Sequence, residues 1–182
     1  MPSELQTNWT FQYDYQQKGK ATQESWKDSL NQIATVGEIE SLMYILDNIG
    51  EAEEWPFNSN LHFFREDILP MWEDDANVNG GKWVLEFSKE ETVDERINDI
   101  WKKTVAFCVS EQAPDLLICG CVLSPRKFVD RIAIWTKSKG EEIEQIGRLW
   151  KKHVGFDDQI GFKLHENSLK GVRDRNMDIF RV

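Results

Sequence analysis

The stretch GGKWVLEFS, Gly80 to Ser88, decides the fold. Over 82–88, Trp83, Leu85 and Phe87 alternate with Lys82, Val84 and Glu86. A period of two puts the large apolar set on one face of a β-strand and leaves Lys82 and Glu86 on the other. A strand with one wet face fits an antiparallel sheet that is covered on one side only.

Other segments repeat the pattern. Residues 8–15 (NWTFQYDY), 61–66 (LHFFRE), 116–123 (LLICGCVL), 131–137 (RIAIWTK), 159–165 (QIGFKLH) and 177–182 (MDIFRV) are predicted strands. Three segments carry a helical period instead. In 35–49, Ile39, Leu42, Met43, Leu46 and Ile49 share one face, with Thr35 as N-cap and Glu38 closing a capping box. In 92–109, Thr92 and Glu95 form a second capping box, and Ile97, Ile100, Trp101, Thr104, Val105 and Cys108 make the core face. The third helix, 141–155, has an acidic start and a basic end, and Gly155 fits its stop. SPRKFVD joins two strands, and 166–176 (ENSLKGVRDRN) is a polar, mostly basic loop.

Each helix has one apolar stripe, so the expected fold is α+β. About seven or eight strands form a single antiparallel sheet covered on one face by the three helices, and the other face is solvated or holds a ligand. With no repeats and no interdomain linker, residues 1–182 form one domain.

The 182 residues carry a formal net charge of −10, which argues against bulk duplex nucleic-acid binding but not against one phosphorylated ligand held by a few local cations. Cys108, Cys119 and Cys121 are an odd number at unpromising spacing, and His62, His153 and His165 are scattered. They are expected to be reduced packing thiols rather than a metal site, with Cys119 and Cys121 pointing to one strand face. No apolar run approaches 18 residues, so a cytoplasmic protein with no membrane partner is expected, needing neither metal nor cofactor.

Just before the deciding strand stands PMWEDD, Pro70 to Asp75. An exposed Trp beside a carboxylate on a glycine-bearing loop can recognise a flat, positively charged ligand. It can equally be a loop entering a buried strand, with Asp74 and Asp75 as solvated loop charges or N-terminal turn residues. Taken singly, Trp26 could be core and Arg126 and Arg131 solvated strand-end cations. Trp83, Trp101 and Trp150 are assigned to the core, and Trp9 to the core or a strand face.

The combination PMWED, GGKW, IWKKT and DRIAIW, with IGRLWK downstream, resembles the translation initiation factor 4E family, which binds the 7-methylguanosine cap of messenger RNA. The resemblance runs from LQTNW at 5–9 to the terminal FRV. It implies a single curved antiparallel sheet of about eight strands, with three helices on its convex face and the ligand slot on its concave side. In that slot a base is sandwiched between Trp26 and Trp72, both on loops at strand ends, with Glu73 on the Watson–Crick edge and Trp135 against the N7 methyl. It implies Arg126 and Arg131 as a phosphate clamp, with Lys82 where the family often has Arg. Lys170, Arg173 and Arg175 would meet the nucleotide after the cap. Capped mRNA is the implied partner, and translation initiation or its regulation the implied role. A glycosidase-like acid pair at Glu73 and Asp74 is the enzymatic alternative, but adjacent residues diverge and no second acid is placed. A fold that has lost its ligand is the third.

The resemblance also exposes departures. The family's convex face grips a partner helix anchored by a tyrosine and a leucine. Here Glu40 stands where a Trp is usual, Lys102 and Ala106 where Leu is usual, and Ser3-Glu4 where His-Pro is usual; Lys103 adds charge. Glu40 lies off the apolar stripe, should be exposed, and could pair with Lys102. The expected partner is a scaffold or regulatory protein differing from the usual motif, so the chain is either an initiation factor or a cap-binding paralogue that represses or recruits a non-standard scaffold.

Overall fold

The computed structural model describes residues 3–15, 23–89, 96–113, 116–169 and 178–182. The chain runs β1 (Glu4–Tyr15), α1 (Gln23–Ser29), β2 (Asn31–Glu38), α2 (Ile39–Asn48), a 3₁₀ turn (Ala52–Glu54), β3 (Ser59–Arg65), β4 (Gly81–Ser88), α3 (Arg96–Val109), β5 (Ile118–Ser124), β6 (Val129–Thr136), α4 (Glu142–Val154), β7 (Gly161–Leu164), α5 (His165–Leu169) and β8 (Phe180–Arg181). The strands form one eight-stranded sheet in the order β2-β1-β3-β5-β6-β4-β7-β8. Every neighbouring pair is antiparallel.

Strand alternation divides the molecule as β4 suggests. Trp83, Leu85 and Phe87 enter the main core with Trp9, Phe11, Leu61, Phe63, Ile132 and Ile134, against Leu42 and Leu46 of α2, the buried face of α3, and Ile143, Ile146 and Trp150 of α4. All six expected core residues of α3 are buried. Two indoles are tied to the helical layer by hydrogen bonds: Trp83 Nε1 donates to Ile143 O at 2.9 Å, and Trp150 Nε1 to Thr104 Oγ1 at 3.0 Å. Gly147 lets α4 approach, because a Cβ there would lie 2.6 Å from the Trp83 ring. The face away from the helices, here the open face, carries a smaller cluster of Phe64, Ile68, Cys119, Val122, Ala133 and Trp135.

Several expectations are corrected. Residues 31–38 are strand β2, so the helix expected over 35–49 begins only at Ile39, with Glu38 as its N-cap. Thr35 is a strand residue that pairs with Thr10, hydroxyl to hydroxyl at 2.9 Å. The β-branched set Ile33, Thr35 and Val36 favours the pleated state, and pairing with β1 outweighs a capping pattern. Helix α2 buries Leu42 and Leu46 but leaves Ile39 and Met43 about half exposed, because only a narrow stripe meets the sheet.

Cys119 and Cys121 point to opposite faces, one in each cluster. A bulge between Ile118 and Gly120 absorbs the extra residue and reverses the alternation. All three thiols are free and buried, and burial pushes Cys119 up to about 12. Trp26 sits on helix α1 rather than a loop, and α5 occupies part of the expected loop 166–176. The Thr92–Glu95 capping box and Lys170, Arg173 and Arg175 lie outside the described residues.

Candidate functional site

The loop 66–80 between β3 and β4 carries Trp72 and Glu73, and buried side chains hold its shape. The Asp74 carboxylate accepts the backbone N–H groups of Leu69 (3.1 Å) and Ala76 (2.9 Å). The buried Asn77 amide donates to Leu69 O (2.8 Å) and Met71 O (2.7 Å). Asp74 is therefore a structural clamp, not a solvated loop charge. With Met71 and Ile68 turned inward, Trp72 is 36% exposed and Glu73 is exposed. Among the described residues Glu73 has no hydrogen bond or ion pair, so its carboxylate keeps its acceptor capacity.

The glycines that close this loop are required by close approach. A Cβ on Gly80 would lie 1.7 Å from Thr136 O, and one on Gly81 2.3 Å from Lys163 O. Backbone from β6 and β7 fills the space where those side chains would stand.

From the other end of the open face, α1 presents Trp26, half-buried and perpendicular to His62 with ring centroids 6.1 Å apart. A row of rings continues across the strands: His62 to Phe64 at 6.2 Å, Phe64 to Trp135 at 5.4 Å, and Trp135 to His165 at 4.2 Å. Trp135 is buried in the open-face cluster. His165 is buried too, and neither ring nitrogen has a hydrogen-bond partner of ordinary geometry among the described residues. Burial, then Lys82, pushes His165 down to about 3, so it is a neutral ring at physiological pH.

Cations collect beside this row. Lys82 lies opposite Trp135 on one neighbouring strand and opposite Lys163 on the other, with its Nζ 6.0 Å from the Trp135 ring centre. Burial, followed by repulsion from Lys163, Arg131 and Arg126, lowers Lys82 from 10.5 to about 8. Two lysines directly opposite each other weaken a sheet unless an anion lies between them. Arg131 is exposed and pairs with Glu86 at 2.9 Å. Arg126 is the most constrained cation. Its Nη1 donates to Ser59 O and Pro125 O and its Nη2 to Asn60 Oδ1, each at 2.7 Å, while burial, then Arg131, lowers its pKa. Among the described residues no three His, Cys, Asp or Glu gather as a metal would need.

All seven residues expected at the ligand slot thus belong to the open face or the elements bordering it. Reasoning from the sequence missed Lys163, His165 and the supporting role of Asp74 and Asn77. Alternation in 159–165 would have placed Lys163 and His165 on the same side as each other. Nothing in the sequence marks Asn77 as buried.

On the helix-covered side, Glu40, Lys102, Lys103 and Ala106 are all exposed. Glu40 and Lys102 do not pair with each other. Glu40 accepts the Ser3 backbone N–H (3.1 and 3.3 Å), whereas Lys102 reaches Asp47 at 3.4 Å and Lys103 reaches Asp99 at 2.7 Å. Each charge found a nearer partner, one along its own helix and two across elements. Around Glu40, Ile39, Met43 (50% exposed) and Tyr44 (68% exposed) remain open.

The family model described as eukaryotic initiation factor 4E matches residues 4–179. The chain is similar to eukaryotic translation initiation factor 4E-2 of Arabidopsis thaliana, 36% identical over 173 residues that span 93% of this chain and 70% of the relative. Among solved structures, Ascaris suum eIF4E-3 in complex with m7G cap superposes with a TM-score of 0.87 at 25% identity, over 100% of this chain and 98% of that one. Schistosome eIF4E complexed with m7GpppA and 4E-BP superposes with a TM-score of 0.86 at 25% identity, over 100% of both chains.

Proposed function

Because the chain belongs to the eukaryotic initiation factor 4E family, we propose that it binds the 7-methylguanosine cap of messenger RNA and acts in translation initiation or its regulation. In this reading residues 1–182 are one cap-binding domain of a cytoplasmic binding module, not an enzyme. The observation that carries it is the pairing of an exposed Trp72–Glu73 step, on a loop fixed by Asp74 and Asn77, with a cluster of mutually repelling cations beside Trp135.

Methylation at N7 leaves a positive charge spread over a planar base. Trp26 and Trp72 stack on its two faces, each contact worth about 1–3 kcal/mol, with a cation–π part of about 0.5–2 kcal/mol. Glu73 accepts N1–H and the N2 amine together, which fixes the base edge and offsets its charge. Trp135 meets the methyl group. Lys82, Arg126 and Arg131 take the phosphates, and Lys163 joins them. An anion there relieves the repulsion that, after burial, lowers Lys82.

A second reading concerns the partner surface. The Ser3–Glu40 and Lys102–Asp47 contacts make polar what a partner's tyrosine and leucine would need to be apolar. This favours a scaffold or regulator that differs from the usual motif, and with it a paralogue that represses translation or recruits a non-standard scaffold.

Titration of intrinsic Trp fluorescence with 7-methyl-GTP and with GTP tests the proposal. Saturable quenching by 7-methyl-GTP at concentrations where GTP has no effect is expected. Equal affinity for the two nucleotides would remove the base-stacking model.

A further inference from the structure

Asp14 is completely buried, and so is its partner: His62 is 4% exposed, on the neighbouring strand β3. The two lie on the open face toward the β2 side of the sheet, with His62 at the Trp26 end of the row of rings described above. His62 Nε2 donates to Asp14 Oδ2 at 2.5 Å, and Asn60 Nδ2 donates to Asp14 Oδ1 at 2.9 Å. Asn60 Oδ1 in turn accepts Arg126 Nη2 (2.7 Å) and Ser124 Oγ (2.9 Å). One buried carboxylate is thereby tied to the ring against Trp26 and, through a single amide, to the guanidinium of Arg126.

Burying a carboxylate and an imidazole beneath a binding face is costly unless each keeps its partners. Asn60 and His62 use both Asp14 oxygens, whereas His62 Nδ1 is buried with no hydrogen-bond partner among the described residues, so the bond to Asp14 is what holds the imidazole in its plane. That plane meets the Trp26 indole at 84°. Rotating His62 without breaking its bond to Asp14 is not open to it, so the indole has a fixed surface to rest on. The Arg126 fork is likewise held by three acceptors, one of them positioned by Asp14.

We propose that Asp14 and His62 are positioning residues of the nucleotide site: His62 sets the placement of Trp26, and Asp14 couples that wall, through Asn60, to Arg126. The inference rests on the cap-binding reading for its effect on ligand, while its claim about Trp26 concerns the free protein. What the polar pair adds is a linked orientation of the base side and the phosphate side, of the kind that preorganised sites gain from their supporting groups.

The test uses full-length protein labelled with 5-fluorotryptophan, in which the Trp26 resonance is assigned by its loss in Trp26→Phe. Without ligand, His62→Ala and Asp14→Asn are each expected to move or broaden that resonance while those of Trp83 and Trp150 stay in place. With 7-methylguanosine, His62→Ala is expected to lose about threefold to tenfold in affinity, and to lose nothing more in a Trp26→Ala background. Asp14→Asn should lose more for 7-methyl-GTP than for the nucleoside, because Arg126 is loosened too. Asn60→Ala, which spares the Asp14–His62 bond, should show only the phosphate part. An unmoved Trp26 resonance in both variants overturns the inference, as does a His62→Ala loss that persists undiminished without Trp26. Failure of the wild type to bind 7-methyl-GTP removes the cap-binding reading instead, and the resonance still decides the Trp26 claim.

Discussion

Lys82 holds its charge against burial and three neighbouring cations, which is why it titrates near 8 rather than 10.5. Below pH 8 it is protonated and ready for a phosphate; as pH rises through 8 the free protein loses that proton, and binding must restore it. The ratio of 7-methyl-GTP affinity to 7-methylguanosine affinity should therefore fall between pH 7 and 9, by up to about tenfold. Taking the ratio cancels titration of the base. Lys82→Arg keeps its charge throughout, and its ratio should stay flat; a wild-type ratio as flat as the variant's would exclude Lys82 from the phosphate site. Glu73 keeps both carboxylate oxygens free among the described residues. Glu73→Ala should cost about 2 kcal/mol in 7-methyl-GTP binding, and Glu73→Gln should also weaken it, because the amide offers one acceptor where two donors wait. Isothermal titration of both variants against wild type checks this, and wild-type affinity in Glu73→Ala would mean that the base edge lies elsewhere. Single residues were the most legible level: Trp72 and Glu73 stood out as an aromatic beside a carboxylate on a glycine-bearing loop, and Lys82 only through the family resemblance. Asp74 did not, since an acidic run gives no sign of which member turns inward to cap N–H groups at Leu69 and Ala76.

At the scale of elements, the loop 66–80 is braced from within by the hydrogen bonds of Asp74 and Asn77. Asn77→Ala removes two hydrogen bonds from a buried site and should destabilise the fold by about 1–3 kcal/mol, measured by urea unfolding. It should also weaken binding of the nucleoside, since Trp72 loses its support; unchanged nucleoside binding in the folded variant would show that the loop is held by other means. Strand β4, with its clean alternation, and the apolar runs of β3 and β6 were legible nearly to their ends. The boundary between β2 and α2 was not. TVGEIE satisfies a capping box and a strand equally well, and only pairing of Thr35 with Thr10 on β1, 25 residues away, decides it. The bulge at Ile118–Gly120 was hidden for the same reason: an extra residue in one strand is defined by its partner, here Trp135 and Thr136 of β6.

For the whole molecule, the sheet separates two surfaces of different chemistry. One gathers rings and cations; the other packs three helices and exposes Glu40, Lys102 and Ala106 among Ile39, Met43 and Tyr44. A generic peptide bearing the tyrosine–leucine helix should bind this surface poorly, because docking strips solvent from Glu40 and Lys102 and disturbs their contacts with Ser3 and Asp47. Glu40→Trp with Lys102→Leu should improve that binding by tenfold or more, on the order of a single anchor residue. Tight binding to the unmodified protein, read by fluorescence anisotropy, would mean that these residues do not set partner choice. The architecture was legible from one alternating strand and three apolar stripes. The exact contacts of Glu40 were not, because they depend on where β1 begins.

The central claim is that a methylated guanine lies between Trp26 and Trp72 with its edge on Glu73. A crystal structure of the full chain with 7-methyl-GTP tests it most directly. The account predicts the base stacked between the two indoles, both Glu73 oxygens on N1–H and the N2 amine, the methyl group against Trp135, and the phosphates beside Lys82, Arg126 and Arg131. A base bound outside that pair of indoles, or with Glu73 turned away to solvent, would contradict it.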